Sequence, residues 1–156
     1  MPKLTVMGFA SLVSAGCLCS AAALAEKCSG YNVNNTYSSE TVELAKGDKM
    51  ITFAHSSVHV SQDPKSPLHM AAGDCGGTII TTPDGKSRGS GTCVRIDKDG
   101  DVYNEEWAMP VNTEWVGTWK VVSGTGKYAN VNWSGTWRVI LSQGKMGAVT
   151  WTGSCP

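Results

Sequence analysis

Apolar and polar residues alternate along most of the chain in short segments, and a period of about two residues is typical of β-strands. After a polar lead-in from Ser29 to Ser39, turn residues such as Pro83-Asp84-Gly85 and Asp99-Gly100 separate the segments. Spacing of this kind predicts about eight antiparallel strands in a closed barrel, with a sandwich as the alternative. The predicted strands are Thr41–Ala45, Lys49–Val60, Asp74–Thr82, Ser87–Asp97, Asp101–Met109, Glu114–Val122, Asn132–Leu141 and Met146–Gly153.

A tryptophan-rich segment occurs twice. WVGTWKVV, which starts at Trp115, is followed eighteen residues later by WSGTWRVI, which starts at Trp133, and Trp151-Thr152-Gly153 is a weaker echo. With a period of about two, one face of each segment carries Trp, Gly, Trp and an aliphatic residue, while Lys120 and Arg138 lie on the other face. We expect the tryptophan face to point into the barrel, where the rings either fill the interior or leave room for one small ligand. The residues predicted to face that ligand are Phe53, Trp107, Trp115, Trp119, Trp133 and Trp137.

The first 25 residues have the features of a secretory signal peptide. Lys3 precedes an apolar run from Leu4 to about Leu18, and Ala23-Leu24-Ala25 fits the cleavage site. A membrane anchor and a lipoprotein signal ending at Cys17 are the alternatives. We therefore predict a signal peptide at 1–25, a single β-barrel domain at 26–156 without a transmembrane segment, and a secreted or periplasmic location.

Removal of this leader would leave the cysteines Cys28, Cys75, Cys93 and Cys155, an even number that predicts two disulfides in an exported protein. Cys75 and Cys93 lie symmetrically about Asp84, so a hairpin folded there would bring them together on adjacent strands. Cys28 would then pair with Cys155 and tie the chain ends together. A structural zinc site is the alternative, but its usual ligand spacing is missing.

Composition limits the function classes. The chain has 156 residues, of which 41% are hydrophobic, and its 13 basic residues balance its 13 acidic ones. The length and the hydrophobic fraction predict one globular domain. The balanced charge leaves no excess of basic residues to attract nucleic acid. Motifs for phosphate binding, HExxH metal binding and serine hydrolysis are not found, so we expect no cofactor and no metal. The acidic run Asp97-Lys98-Asp99-Gly100-Asp101 suggests calcium, but a hairpin turn is the simpler interpretation.

The glycine-rich segments Gly117-Thr118-Trp119, Ser123 to Asn130 and Ser134 to Trp137 resemble the signature of the allene oxide cyclase-like barrels. The resemblance covers about the last forty residues of the chain. It implies a closed eight-stranded antiparallel barrel with a cavity at one end, in a superfamily of lipid cyclases, dirigent proteins and exported bacterial members. It transfers no catalytic residue, because no motif for the cyclase's substrate-holding groups aligns outside this signature.

Candidate chemistry lies on the predicted inner face. His55 and His59 share the face of Phe53, and Glu105 shares that of Tyr103 and Trp107. His55, Glu105 and Tyr103 are therefore candidate acid–base residues, whereas the simpler interpretation puts both histidines at a wet strand end and has Glu105 hydrogen-bonding across the barrel. We predict an exported barrel that binds a small apolar or aromatic molecule without catalysis, with a cofactor-independent isomerase or cyclase as the alternative. The Ser61–Gly73 loop, which contains Pro64 and Pro67, is predicted to arch over one end of the barrel. We expect the small molecule, or alternatively an unidentified protein partner, to bind through the barrel mouth and this loop.

Overall fold

The structure is a computed structural model that describes residues 26–155, so the predicted leader at 1–25 lies outside the described residues. Eight antiparallel strands pair in chain order, and the last pairs with the first to close a barrel. The predicted fold class is confirmed. No helix within residues 26–155 is long and apolar enough to cross a membrane. The strands are β1 (Glu26–Glu43), β2 (Lys49–Ser61), β3 (Ala72–Thr81), β4 (Ser87–Ile96), β5 (Val102–Asn112), β6 (Val116–Gly124), β7 (Ser134–Gln143) and β8 (Met146–Cys155).

The first strand is much longer than the sequence predicts. The polar lead-in belongs to β1, which has 18 residues and pairs with both β2 and β8. Its inward positions carry Asn32, Asn34 and Thr36, which line the barrel interior, and its outward positions face solvent. The apolar side chains of Tyr31 and Val33 face outward and are exposed, whereas the inward positions are polar, so the usual hydrophobic alternation of a half-buried strand is inverted here.

One end of the barrel is plugged by the connection between β2 and β3. Within residues 62–71, Leu68 and Ala71 are buried, and the Tyr128 hydroxyl donates a hydrogen bond of 2.7 Å to the Pro67 carbonyl oxygen. Tyr103 packs against Tyr128 with ring centroids 4.7 Å apart. The proline-containing loop therefore arches over one end of the barrel, as predicted, and the small core beneath it closes that end.

Both predicted disulfides are present. Cys75 and Cys93 are directly opposite each other on β3 and β4, and they face into the barrel. Cys28 on β1 is bonded to Cys155 on β8, so the two ends of the described chain are tied together beside the plugged end.

The tryptophan rings lie along the barrel wall, over glycines of neighbouring strands. A Cβ added at Gly77 or Gly91 would overlap the Trp107 ring, and one added at Gly135 or Gly153 would overlap the Trp119 ring. The same relation holds between Trp137 and Gly117 and between Trp151 and Gly30. Because glycine has no side chain, each ring occupies space that a neighbour would otherwise fill, and the middle of the barrel stays open.

The acidic turn that suggested calcium binds a lysine side chain. The Lys127 Nζ lies 2.6 Å from a carboxylate oxygen of Asp97, 2.6 Å from one of Asp99 and 3.7 Å from one of Asp101. These three carboxylates thus hold a side-chain cation and fasten the β4–β5 turn to the 3-10 turn at Gly126–Tyr128.

Candidate functional site

A cavity of about 830 Å³ occupies the barrel interior and reaches the end opposite the plug. Tyr37, Ser38 and Lys145 line it near the open end, where the β7–β8 turn packs beside β1. Residues 62–71 do not line it. The expectation that this loop contributes to a binding mouth is therefore wrong, because the loop closes the other end of the barrel.

Most of the residues predicted to face a ligand line this cavity. Trp107 and Trp137 meet edge to face with ring centroids 6.1 Å apart, and Phe53 stacks on Trp107 at 5.8 Å. On the outer face, Lys120 and Arg138 are exposed, as the period-two pattern predicts. The predicted residues found in the cavity lining are Phe53, Trp107, Trp115, Trp119 and Trp137.

Trp133 is the exception among the predicted ligand-facing residues. It precedes β7 at the plugged end and packs edge to face on Tyr128, with centroids 5.4 Å apart. Its equivalent in the repeat, Trp115, precedes β6 at the open end and lines the cavity. The two positions differ because β6 and β7 are antiparallel, so the starts of equivalent segments lie at opposite ends of the barrel.

The Asn112 side chain holds Trp115 at the cavity rim. Its Oδ1 accepts hydrogen bonds from the backbone N–H groups of Glu114 and Val116, and its Nδ2 donates to the Val116 carbonyl oxygen at 3.0 Å. Trp115 has a φ of 55°, a left-handed conformation that is uncommon for a bulky side chain. The turn thereby orients an indole ring at the opening.

At the plugged end the cavity terminates in five buried residues with polar side-chain atoms, which we call the cavity floor: Asn32, His59, Arg95, Glu105 and Trp151.

Arg95 is the centre of the cavity floor and is only 1% exposed. Its Nη1 donates a hydrogen bond of 2.7 Å to Ser57 Oγ, and its Nη2 lies 3.2 Å from the sulfur of Cys75. Its Nε lies 3.6 Å from Glu105 Oε2, within range of charge attraction but too far for a good hydrogen bond. Burial raises the pKa of Glu105, and the positive charge of Arg95 opposes part of that rise.

His59 links the cavity floor to the plug. Its ring stacks on Trp151 with centroids 5.4 Å apart, and its Nδ1 lies 3.3 Å from the Tyr103 hydroxyl. Burial holds the pKa of His59 well below its ordinary value, and the positive charge of Arg95 lowers it further. The imidazole is therefore neutral near pH 7. Its burial contradicts the interpretation that places His59 at a wet strand end.

The three predicted acid–base candidates do not form one cluster. His55 and Glu105 both line the cavity, but the Cys75–Cys93 disulfide lies between their strands in the same row of the wall. Tyr103 is fully buried beneath the cavity floor and does not line the cavity. Glu105 pairs with Arg95 on the adjacent strand, so the expectation of a hydrogen bond across the barrel is wrong.

His55 stacks on Phe53 with ring centroids 5.6 Å apart. Burial and the charge of Arg95 lower the pKa of His55 to about 4, with Asp74 acting in the opposite direction. Near pH 7 both cavity histidines are therefore uncharged, and neither is close to the pKa that favours proton transfer at that pH. The site offers aromatic surface and hydrogen-bonding groups more readily than acid–base chemistry.

Sequence reasoning missed three residues of the cavity floor. Arg95 lies two residues after Cys93 on the same strand face, so the inward direction of the disulfide was a signal for its position. Trp151 belongs to the weaker third copy of the repeat, whereas Asn32 lies in the polar lead-in, where the polar residues and not the apolar ones face inward.

Comparisons of the chain with protein-family models, with curated proteins and with solved structures returned no match.

Proposed function

We propose that the protein binds one small apolar or aromatic molecule in the barrel cavity and does not catalyse a reaction on it. The observation that carries the proposal is the placement of the tryptophan rings against wall glycines, which leaves about 830 Å³ open in the barrel interior. Small-molecule sites have volumes of roughly 300 to 1,000 Å³ and are lined mainly by apolar and aromatic groups. The volume and the lining of this cavity both fall in that class.

The protonation states favour binding over the alternative of an isomerase or cyclase. His55 has a pKa of about 4, and Glu105 is held by Arg95. Tyr103 is buried beneath the cavity floor, and burial raises the pKa of its hydroxyl. An acid–base mechanism needs at least one group in the cavity that gains and loses a proton near the working pH, and neither His55 nor Tyr103 supplies it. Burial raises the pKa of Glu105, but the charge of Arg95 opposes part of that rise and favours the carboxylate.

A titration with phenylnaphthylamine, an uncharged aromatic fluorophore, tests this function on the oxidised protein. We expect saturable binding at one site per chain, with energy transfer from the cavity tryptophans to the probe. Val149→Trp would place an indole in the cavity and should weaken binding. Val94→Trp is the matched control, because Val94 is 54% exposed and faces outward. Equal binding by both variants, or no saturable binding by the unaltered protein, would reject a cavity site.

We also propose that the protein is exported to an oxidising compartment and is a member of the allene oxide cyclase-like barrels. The two disulfides and the leader features support export. The closed barrel and the glycine-rich segments support the family. Mass spectrometry of exported material should find a chain that starts at Glu26 and has no free thiol. An uncleaved chain retained in the cytoplasm would contradict export.

A further inference from the structure

The cavity floor carries polar atoms that the protein itself does not satisfy. Within residues 26–155, four buried side-chain atoms have no hydrogen-bond partner. All four belong to residues that line the cavity. Such atoms are rare in native proteins, because a buried donor or acceptor without a partner loses its hydration and gains nothing in return. The unsatisfied atoms are Asn32 Oδ1, Arg95 Nε, Glu105 Oε2 and Trp151 Nε1.

These atoms form a mixed set of hydrogen-bonding groups. Arg95 Nε–H and Trp151 Nε1–H can only donate, while Glu105 Oε2 and Asn32 Oδ1 can accept. Arg95 Nε and Glu105 Oε2 are 3.6 Å apart, so one donor stands next to one acceptor. A single polar group that both accepts and donates can satisfy both atoms at once. A purely apolar ligand would leave both atoms without a hydrogen bond.

Charge at the cavity floor limits which polar group fits. The guanidinium of Arg95 and the carboxylate of Glu105 offset each other. The neighbouring histidines add no charge near pH 7, because burial lowers the pKa of both. Because these two charges offset each other, a charged head group of either sign would gain no net attraction, and it would not recover the hydration lost on burial.

We propose that the cavity floor is a subsite for an uncharged head group that both donates and accepts hydrogen bonds, such as a hydroxyl or a carboxamide. The head group would accept from Arg95 Nε–H and donate to Glu105 Oε2 after a rotation of the Glu105 side chain, which is 8% exposed, opens these two atoms to the cavity. The ligand is then amphipathic, with its apolar or aromatic body against Trp107, Trp119 and Trp137 and its polar head at the buried end. This inference rests on the proposed binding function and adds the chemistry of the ligand and its orientation.

A matched series of probes tests the inference by titration calorimetry on the oxidised protein. The probes share a phenyl ring and a four-carbon chain, and they end in a hydroxyl, a carboxamide, a carboxylate, an ammonium group or a plain methyl. We expect the hydroxyl and carboxamide probes to bind at least about tenfold more tightly than each of the other three.

The outcomes separate the two proposals. Binding of the methyl-ended probe with no gain from a hydroxyl or carboxamide would overturn the subsite and leave the apolar cavity intact. A carboxylate or ammonium probe that binds as tightly as the carboxamide would also overturn it. If none of the five probes binds, the proposed binding function fails, and the subsite fails with it.

Glu105→Gln provides an independent test, because it removes the negative charge and leaves Arg95 uncompensated. The carboxylate probe should then gain at least about tenfold relative to the carboxamide probe. Glu106→Gln is the matched control, since Glu106 is the next residue, faces outward and pairs with Lys120 at 2.9 Å. Equal probe selectivity in the two variants would overturn the subsite. If Glu105→Gln does not fold, the probe series on the unaltered protein still decides.

Discussion

Adjacent glycines on β3 provide a direct test of how the tryptophans pack. A Cβ at Gly77 would overlap the Trp107 ring and also the backbone carbonyl oxygen of Ser90, which no side-chain rotation can move away. A Cβ at Gly76 would meet only the Phe53 carbonyl oxygen, at 3.3 Å, and the Ala54 Cβ at an ordinary contact distance of 4.0 Å. The two residues are neighbours on one strand, and their Cβ positions point to opposite faces of the barrel wall.

The expected loss in the free energy of unfolding differs clearly between alanine at Gly77 and alanine at Gly76. Overpacking a filled site costs about 1 to 3 kcal/mol, and we expect Gly77→Ala to lie in the upper half of that range because backbone must shift as well as the ring. Gly76→Ala should stay within about 0.5 kcal/mol of the unaltered protein, since a slight shift at Phe53 is offset by the lower chain entropy of alanine when unfolded.

Urea unfolding of the oxidised protein measures both changes. A double-mutant cycle of Gly77→Ala with Trp107→Leu then identifies the ring as the cause, because the smaller side chain should recover about 1 kcal/mol or more of the loss. If Gly77→Ala is as stable as Gly76→Ala, the ring does not lie over Gly77. In that case the wall glycines are not the reason that the barrel interior stays open.

Three further predictions concern the core, the disulfide and pH. Trp119→Ala should lower the free energy of unfolding by about 3 to 5 kcal/mol and Lys120→Ala by less than about 1, and equal losses in urea unfolding would contradict the strand register. Replacing Cys75 and Cys93 together by serine should cost about 2 to 4 kcal/mol by thermal or urea unfolding, and unchanged stability would mean that this crosslink does not restrain the unfolded chain. The folded-state pKa of His55 is about 4 against an ordinary 6.5, so its contribution to stability is present above 6.5 and is lost as the pH falls toward 4. Between pH 6.5 and pH 4 the unaltered protein should therefore lose more stability than the His55→Gln variant. Parallel profiles of stability against pH for the two proteins would refute the lowered pKa of His55.

The sequence was sufficient for the barrel because its local signals agree with one another. Turn residues such as Asp84-Gly85 separate segments of period two, and the symmetric placement of Cys75 and Cys93 about that turn fixes the β3–β4 hairpin. The repeated tryptophan segments also indicated the correct inward face for Trp119 and Trp137. Each of these features depends on residues that are close in sequence.

The cavity could not be predicted because it depends on contacts between distant strands. Whether Trp107 fills the interior or lies on the wall depends on Gly77 and Gly91, which come from two other strands. The burial of Arg95 likewise depends on Ser57 from β2 and Glu105 from β5. Hydrophobic periodicity indicates which side of a strand faces inward, but it carries no information on the register between strands that brings such partners together.

The most direct test of a ligand cavity in the barrel interior is a crystal structure determined from crystals of the oxidised protein that have been soaked in bromobenzene. Anomalous scattering from bromine locates the small aromatic probe without assumptions about the protein. We predict a bromine peak inside the barrel, beside Trp107, Trp119 and Trp137. An interior filled by side chains, with bromine bound only on the outer surface, would contradict a ligand cavity.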